Sequence, residues 1–255
     1  MSPHAKLLKD LVVKDLQARY RTSVMGFFWS VINPLIMVGL FTFLFSLLLN
    51  VRPPAGIRSF ALYVFSGVLP WFTIQEALYR STNSILENSS LVKTIRFPAS
   101  ILPLYLVISG IINESIGLVV LVPLAAYSQG ELSPVFLLII PILVLQAMFC
   151  LGLGWILATL QVYVRDTVQL LGVVLMVWMY LTPIFYPPDA MPPAYSLLLQ
   201  ANPLHHLLLI YRSVLVEFEL PQPRAVLFFA TASLALFYWG YGVIRRRGRS
   251  FADLV

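Results

Sequence analysis

Charge is scarce in this sequence. Of its 255 residues only 11% are charged and 59% are hydrophobic, and the mean hydropathy is +0.85. A soluble domain of this size keeps its surface wet with charge, so that class is excluded and the bilayer has to be the main solvent. Cysteine is nearly absent: Cys150 stands alone inside an apolar run, which rules out an intrachain disulfide. None of the 13 glycines is followed by lysine, so there is no G-x-x-x-x-G-K-[ST] phosphate loop. H-E-x-x-H, a cysteine ligand cluster and a G-x-S-x-G elbow are missing too. His205 and His206 are adjacent, about 100° apart on a helix, and cannot chelate one metal as an i, i+4 pair would. These absences argue against a metalloenzyme or a serine hydrolase.

What is present is a series of six apolar runs: Gly26–Leu49, Phe60–Leu78, Ile101–Tyr127, Val135–Leu160, Val168–Phe185 and Ala225–Ile244. At about 1.5 Å per residue even the shortest nearly crosses a hydrocarbon core of about 30 Å. Helices are the only open-chain solution there, because unpaired backbone groups in lipid cost several kcal/mol each. The expected fold is an all-α integral membrane protein with six transmembrane helices, forming one domain over residues 1–255. The basic stretch up to Arg21 precedes an apolar run that lacks a small-residue cleavage site, so no cleavable signal peptide is expected.

Basic residues gather on alternate connections. Lys6, Lys9, Lys14, Arg19, Arg21, Arg80, Lys93, Arg96, Arg165, Arg245, Arg246, Arg247 and Arg249 fall on one side, and only Arg52, Arg58, Arg212 and Arg224 on the other. The positive-inside rule then makes both termini cytoplasmic. These juxtamembrane positions also explain the net charge of +6 without nucleic acid. A seventh crossing over Ser196–Phe218 would put the Arg245–Arg249 cluster outside. That stretch is broken by Asn202-Pro203 and carries Arg212. With the Pro-rich Tyr186–Pro193 before it, it reads as helices within residues 186–224 that dip in from the outer face and return.

Ahead of the first run, Leu8, Val12, Leu16 and Tyr20 form an apolar stripe, with Lys6, Asp10, Lys14 and Arg21 on the other side. Residues 1–25 are therefore expected to carry an amphipathic helix lying in the cytoplasmic interface. Asp15 and Arg19 fall near the stripe's centre, where they can pair with each other or with a neighbouring subunit. Glu76 and Arg80 are expected to pair along one helix. Glu114, alone in the middle of the third run, has to face other helices or a cavity, or stay protonated; an interhelical hydrogen bond helped by Asn113 is expected of it, with a substrate contact as the alternative.

The run Asp15-Leu16-Gln17-Ala18-Arg19-Tyr20-Arg21-Thr22-Ser23-Val24-Met25-Gly26-Phe27-Phe28-Trp29, followed by Asn33-Pro34-Leu35, resembles the N-terminal signature of type-2 ATP-binding-cassette (ABC) permeases that export bacterial surface polysaccharides. Further pieces resemble the same family in the same order. They are Phe65-Ser66-Gly67-Val68-Leu69-Pro70-Trp71; Asn83-Ser84-Ile85 through Leu91-Val92-Lys93 to Phe97-Pro98; Arg165-Asp166; and Thr182-Pro183-Ile184-Phe185-Tyr186 with Asn202-Pro203-Leu204. The family exports O-antigen, capsule and teichoic acids. The resemblance implies a homodimer of six-span subunits in the bacterial inner membrane, a channel between the two copies, and two copies of a separate ATPase subunit. ATP and Mg would sit on that partner, and no cofactor is expected on this chain.

The resemblance places a coupling helix in the connection Arg80–Ser100. Asn88, Ser89 and Ser90 are N-cap candidates there, and Pro98 is a stop. Leu91, Val92, Lys93 and Arg96 are the expected contacts to the ATPase, assisted by Arg165 and Asp166. A polysaccharide path needs flat rings with polar tips, which makes Phe65, Trp71, Phe72, Trp178, Tyr180, Phe185 and Tyr186 the channel-lining candidates. Arg19 and Arg21 are best placed to gather an anionic lipid diphosphate. The competing readings are a family permease carrying a lipid or drug and, further off, a membrane-embedded glycosyl or acyl transferase using His205-His206.

Overall fold

The computed structural model describes residues 3–20, 28–48, 59–94, 97–130, 132–188 and 191–254. The described residues contain helices and no strand. Helix α1 (Pro3–Tyr20) leads into α2 (Trp29–Phe41), which widens into a π-helical turn over Thr42–Leu48. Then come α3 (Phe60–Glu87), the short α4 (Ser89–Thr94), α5 (Ile101–Gln129), α6 (Ile139–Tyr163) after a 3-10 turn over Pro134–Leu138, and α7 (Thr167–Leu181). The short pair α8 (Ser196–Ala201) and α9 (Pro203–Arg212), a π-helical turn over Ser213–Glu217, α10 (Pro223–Arg247) and α11 (Phe251–Leu254) complete the chain. Among the described residues, three helical stretches are long and apolar enough to cross a bilayer: Ile101–Gln129, Pro134–Tyr163 and Pro223–Arg247. Leu35–Leu44 and Thr167–Leu181 are shorter apolar helices.

Helix α3 is the axis of the bundle, contacting α2, α5, α6, α7 and α9. Ser59 caps it by accepting a 3.4 Å hydrogen bond from the Leu62 amide. Its first nine residues, Phe60 to Val68, are all buried, as expected of a helix surrounded on every side. The apolar run ends at Leu78 but the helix continues to Glu87, because no proline or glycine stops it and Ser81, Thr82, Ser84 and Ile85 of its extension are buried against the rest of the chain. Pro70 removes one backbone donor inside α3 and frees the Ser66 carbonyl.

Helices α6 and α10 form the broadest contact in the bundle. Gly152 and Gly240 make it possible. A β-carbon on Gly240 would lie 2.1 Å from the Gly152 carbonyl oxygen, and one on Gly152 would lie 2.4 Å from Leu236 backbone atoms. Without side chains at those points the backbones touch, as small residues allow between helices in lipid. Trp155 then packs on Phe237 and Tyr241, with ring centroids at 5.2 and 5.6 Å. Gly130 ends α5 in the left-handed region at φ 82°, donating its amide to the Ala126 carbonyl at 2.9 Å.

Helix α1 packs along α5. Leu8, Val12 and Leu16 are on its covered side, while Lys6, Asp10 and Lys14 are exposed, as the stripe predicts. Tyr20 lies among the side chains not described. Helix α11 docks on α4 and α6, with Phe251 fully buried.

Candidate functional site

Two polar clusters gather most of the motif residues. The first surrounds a break in the helical backbone. Helix α7 has 15 residues, about 22 Å of rise against a hydrocarbon core of about 30 Å. It stops because Pro183 cannot continue it, and residues 182–186 run irregularly. Irregular backbone buried inside the chain has to find protein partners for its carbonyls. Arg212, only 4% exposed, supplies them from the end of α9: its Nη2 donates to the Pro183 carbonyl at 2.7 Å and to the Ile184 carbonyl at 3.1 Å. The Tyr63 hydroxyl donates to the Tyr186 carbonyl at 3.2 Å. The Arg212 guanidinium also lies over the Tyr63 ring, 3.7 Å from its centroid. Gly67 leaves the space, since its missing β-carbon would meet Arg212 Nη2 and Ile184 Cγ2 at 3.4 Å.

Asn202, between α8 and α9, ties the same break from below. Its Nδ2 donates to Thr182 Oγ1 at 2.9 Å, while its Oδ1 accepts from Trp178 Nε1 at 2.9 Å and from the Leu204 amide at 3.0 Å. Asn202 thus caps α9 and binds α7 with one side chain. Helix α9 contacts α3, and Leu204, Leu207 and Leu208 line one small cavity with Pro70, Trp71 and Ile74. The motifs Phe65–Trp71, Thr182–Tyr186 and Asn202–Leu204, far apart in the chain, meet at this junction.

The second cluster lies near the Arg80 end of α3. Asp15 of α1 forms an ion pair with Arg80, and Arg80 Nη1 donates to Asp15 Oδ2 at 3.1 Å. Arg19 Nε donates to the same oxygen at 3.3 Å, and Ser109 of α5 donates its hydroxyl to it. Glu76 closes the group, 2.7 Å from Arg19 and 3.3 Å from Arg80. Two acids and two arginines alternate, so the group is neutral overall and joins α1, α3 and α5. Burial raises the Asp15 pKa, but hydrogen bonds from Arg80 and Ser109 and the charges of Arg80 and Arg19 outweigh it and hold the carboxyl below its ordinary range.

The expected site residues fall in several places. Phe65 and Trp71 are each 3% exposed, sunk in the packing of α3, whereas Phe72 is 46% and Tyr180 63% exposed on the surface of the chain. Trp178 is half-buried and engaged by Asn202. Phe185 meets Phe41 edge-on at 6.5 Å, and the Tyr186 hydroxyl donates to the Tyr180 carbonyl at 2.7 Å. Arg19 is engaged by Asp15 and Glu76, and Arg21 lies outside the described residues.

Short helix α4 forms where the sequence places it. The Leu91 and Val92 amides donate to the Asn88 carbonyl, while the Asn88 side chain turns back to donate to the Ser84 carbonyl at 2.8 Å. Leu91 and Lys93 are exposed and Val92 is buried; Arg96 lies outside the described residues. Arg165 and Asp166 are exposed ahead of α7. His206 donates Nε2–H to the Gln200 carbonyl at 2.8 Å and lies 4.3 Å from the Phe228 ring, so it is a packed side chain. No group of three metal-ligating side chains occurs among the described residues.

Sequence reasoning missed the roles of Tyr63 and Arg212. An arginine inside an apolar segment next to Asn202-Pro203 was the available signal, because a cation at that depth has to be satisfied by something.

A family model described as ABC-2 type transporter matches residues 6–216, which spans both clusters. The chain belongs to the ABC-2 type transporter family. Its similarity to individual members runs nearly end to end. It is 30% identical over 252 residues to the O-antigen export system permease protein RfbA of Myxococcus xanthus, covering 98% of this chain and 95% of the relative. It is 28% identical to the RfbA permease of Klebsiella pneumoniae over the same shares. It is 21% identical to the polysialic acid transport protein KpsM of Escherichia coli, over 94% and 93% of the two chains. As an ABC-2 family member with long apolar helices it is a multi-pass membrane protein of the permease type.

Proposed function

We propose that this chain is the membrane subunit of an ATP-driven exporter that moves a lipid-linked polysaccharide from the cytoplasm across the bacterial inner membrane. Two copies form the channel, and two copies of a separate ATPase, carrying ATP and Mg, supply the energy. The observation that carries this reading is the end-to-end similarity to permeases named for O-antigen and polysialic acid transport.

In this reading α2, α3, α5, α6, α7 and α10 are the six spans, α1 lies in the cytoplasmic interface, and α8–α9 are the re-entrant pair. The contact of α9 with α3, where Leu204, Leu207 and Leu208 share a small cavity with Pro70, Trp71 and Ile74, supports a hairpin that dips in from outside. The three arginines ending α10 support a cytoplasmic C-terminus. Leu91, Lys93, Arg165 and Asp166 are the exposed contacts to the ATPase, Arg96 is read as a further contact from the sequence alone, and Val92 anchors α4 to the subunit. Phe72, Tyr180, Phe185 and Tyr186 border the channel, with Phe65, Trp71 and Trp178 setting the packing behind them. Arg19 and, from the sequence alone, Arg21 are read as gathering the lipid heads that enter.

Deleting the gene in its host should remove the surface polysaccharide and leave lipid-linked chains inside the cell. Re-expression should restore export only when the ATPase partner is intact. Surface polysaccharide that persists at wild-type levels in the deletion would contradict the proposal, and loss of a lipid or drug efflux phenotype instead would favour another cargo.

A further inference from the structure

Glu114, 1% exposed in the middle of α5, meets two neutral polar side chains. Its Oε2 lies 2.7 Å from Gln146 Nε2 on α6, and its Oε1 lies 2.7 Å from the Tyr211 hydroxyl oxygen on α9. That hydroxyl oxygen is also 2.6 Å from Gln146 Oε1. The three contacts close a ring, and each needs one proton between its heavy atoms. The phenol supplies one. The Gln146 amide turns its NH2 to one ring neighbour and its carbonyl to the other, and so supplies one. The third has to come from the carboxyl group.

Exchanging the amide nitrogen and oxygen leaves the count unchanged. The amide then donates to the phenol, the phenol donates to Oε1, and Oε2 faces a carbonyl oxygen that only the acid's own proton can bridge. Neighbouring groups offer no substitute. Thr73 reaches the carboxyl from α3, and its hydroxyl also donates to the Leu69 carbonyl at 3.2 Å, but it lies outside the ring and bridges none of the three contacts. Cys150, one turn beyond Gln146, is a buried thiol. Among the described residues no basic side chain pairs with Glu114. The guanidinium of Arg212 is held by the Pro183 and Ile184 carbonyls.

We propose that Glu114 is a neutral carboxylic acid whose proton closes a hydrogen-bonded ring with Gln146 and Tyr211, making it an uncharged tie of α9 to α5 and α6. The inference concerns protonation and positioning, and it holds whatever the cargo. Glutamine at this position would reproduce the ring, donating Nε2–H to Tyr211 and accepting from Gln146. Alanine would open it.

The test is the infrared spectrum of the purified full chain at mildly alkaline pH, with E114Q as reference. Wild type should show a carboxylic-acid carbonyl band that E114Q lacks, and thermal unfolding of E114Q should match wild type while E114A and Y211F unfold at lower temperature. Spectra that coincide in the acid region and differ in the carboxylate bands would overturn the proposal, as would an E114Q protein as unstable as E114A. Y211F keeps Glu114 while breaking the ring, so the acid band should persist but shift. A band that does not move on Y211F would also overturn the proposal.

Discussion

Arg212 lies face-on to Tyr63, its guanidinium carbon 3.7 Å from the ring centroid, while the same cation holds the Pro183 and Ile184 carbonyls. One side chain thus fastens the segment before α10 to both α3 and the broken end of α7. Leaving a buried carbonyl unpaired costs about 1–3 kcal/mol, and a desolvated cation–π contact adds up to about 2 kcal/mol. We expect R212A to lower the thermal stability of the detergent-solubilised protein sharply and to abolish export. R212K should recover little, because an ammonium lacks the planar fork and the stacking surface. Melting curves of R212A that overlay wild type would remove Arg212 from this role.

The four-charge group predicts a pH dependence. Asp15 titrates below its ordinary value in the folded protein, so its contribution is present above the unfolded carboxylate pKa of about 3.9 and is lost as pH falls through the lower folded value. D15N should therefore destabilise at neutral pH, by about 1–3 kcal/mol for a charge-assisted hydrogen-bond group of this kind. The gap to wild type should close as the pH drops below about 4. Unfolding midpoints for both proteins across that range provide the check, and a gap constant with pH would contradict the assignment.

The α6–α10 contact can be tested by size alone. A side chain on Gly240 meets backbone, which cannot rotate away, so G240L should cost at least the 1–3 kcal/mol typical of overpacking and reduce the folded yield. G242A is the matched control: nothing lies within 4 Å of a β-carbon there, and removing a helical glycine should be neutral or stabilising by up to about 1 kcal/mol. Size-exclusion profiles of the two variants should diverge.

Phe251 is fully buried in α11, the helix that packs on α4 and α6. F251A should leave the bundle inserted, loosen α4 and lower the permease-dependent ATP hydrolysis of the partner. Removing a buried phenylalanine costs about 3–5 kcal/mol where the site cannot collapse. Hydrolysis that stays at the wild-type rate would argue that α4 is held without the tail.

Hydropathy located the helices because lipid imposes one rule on every residue it touches. Helix α5 begins at Ile101 as read from sequence, and α7 and α10 begin within two residues of Val168 and Ala225. The same signal placed the end of α3 nine residues early, since hydropathy marks where apolar surface ends and the helix has no reason to end there. Pair contacts were less legible. Asp15, Arg19, Glu76 and Arg80 each read as half of a local pair, but the pairs merge because α1 lies beside α3 and α5. The hydrogen bond expected of Glu114 is present, with partners 32 and 97 residues away that no local pattern could name. Trp71 read as a lining residue from its type, while its burial depends on where α9 leans.

The most direct test of the export reading is reconstitution of the chain with its ATPase partner in vesicles loaded with lipid-linked polysaccharide on the ATPase-facing side. On addition of ATP, sugar should become accessible to a glycosidase on the opposite side, and omission of either subunit should stop it. Transfer of the sugar across the membrane by the lone chain, or ATP hydrolysis by the pair with no sugar crossing, would contradict the export function proposed for this protein.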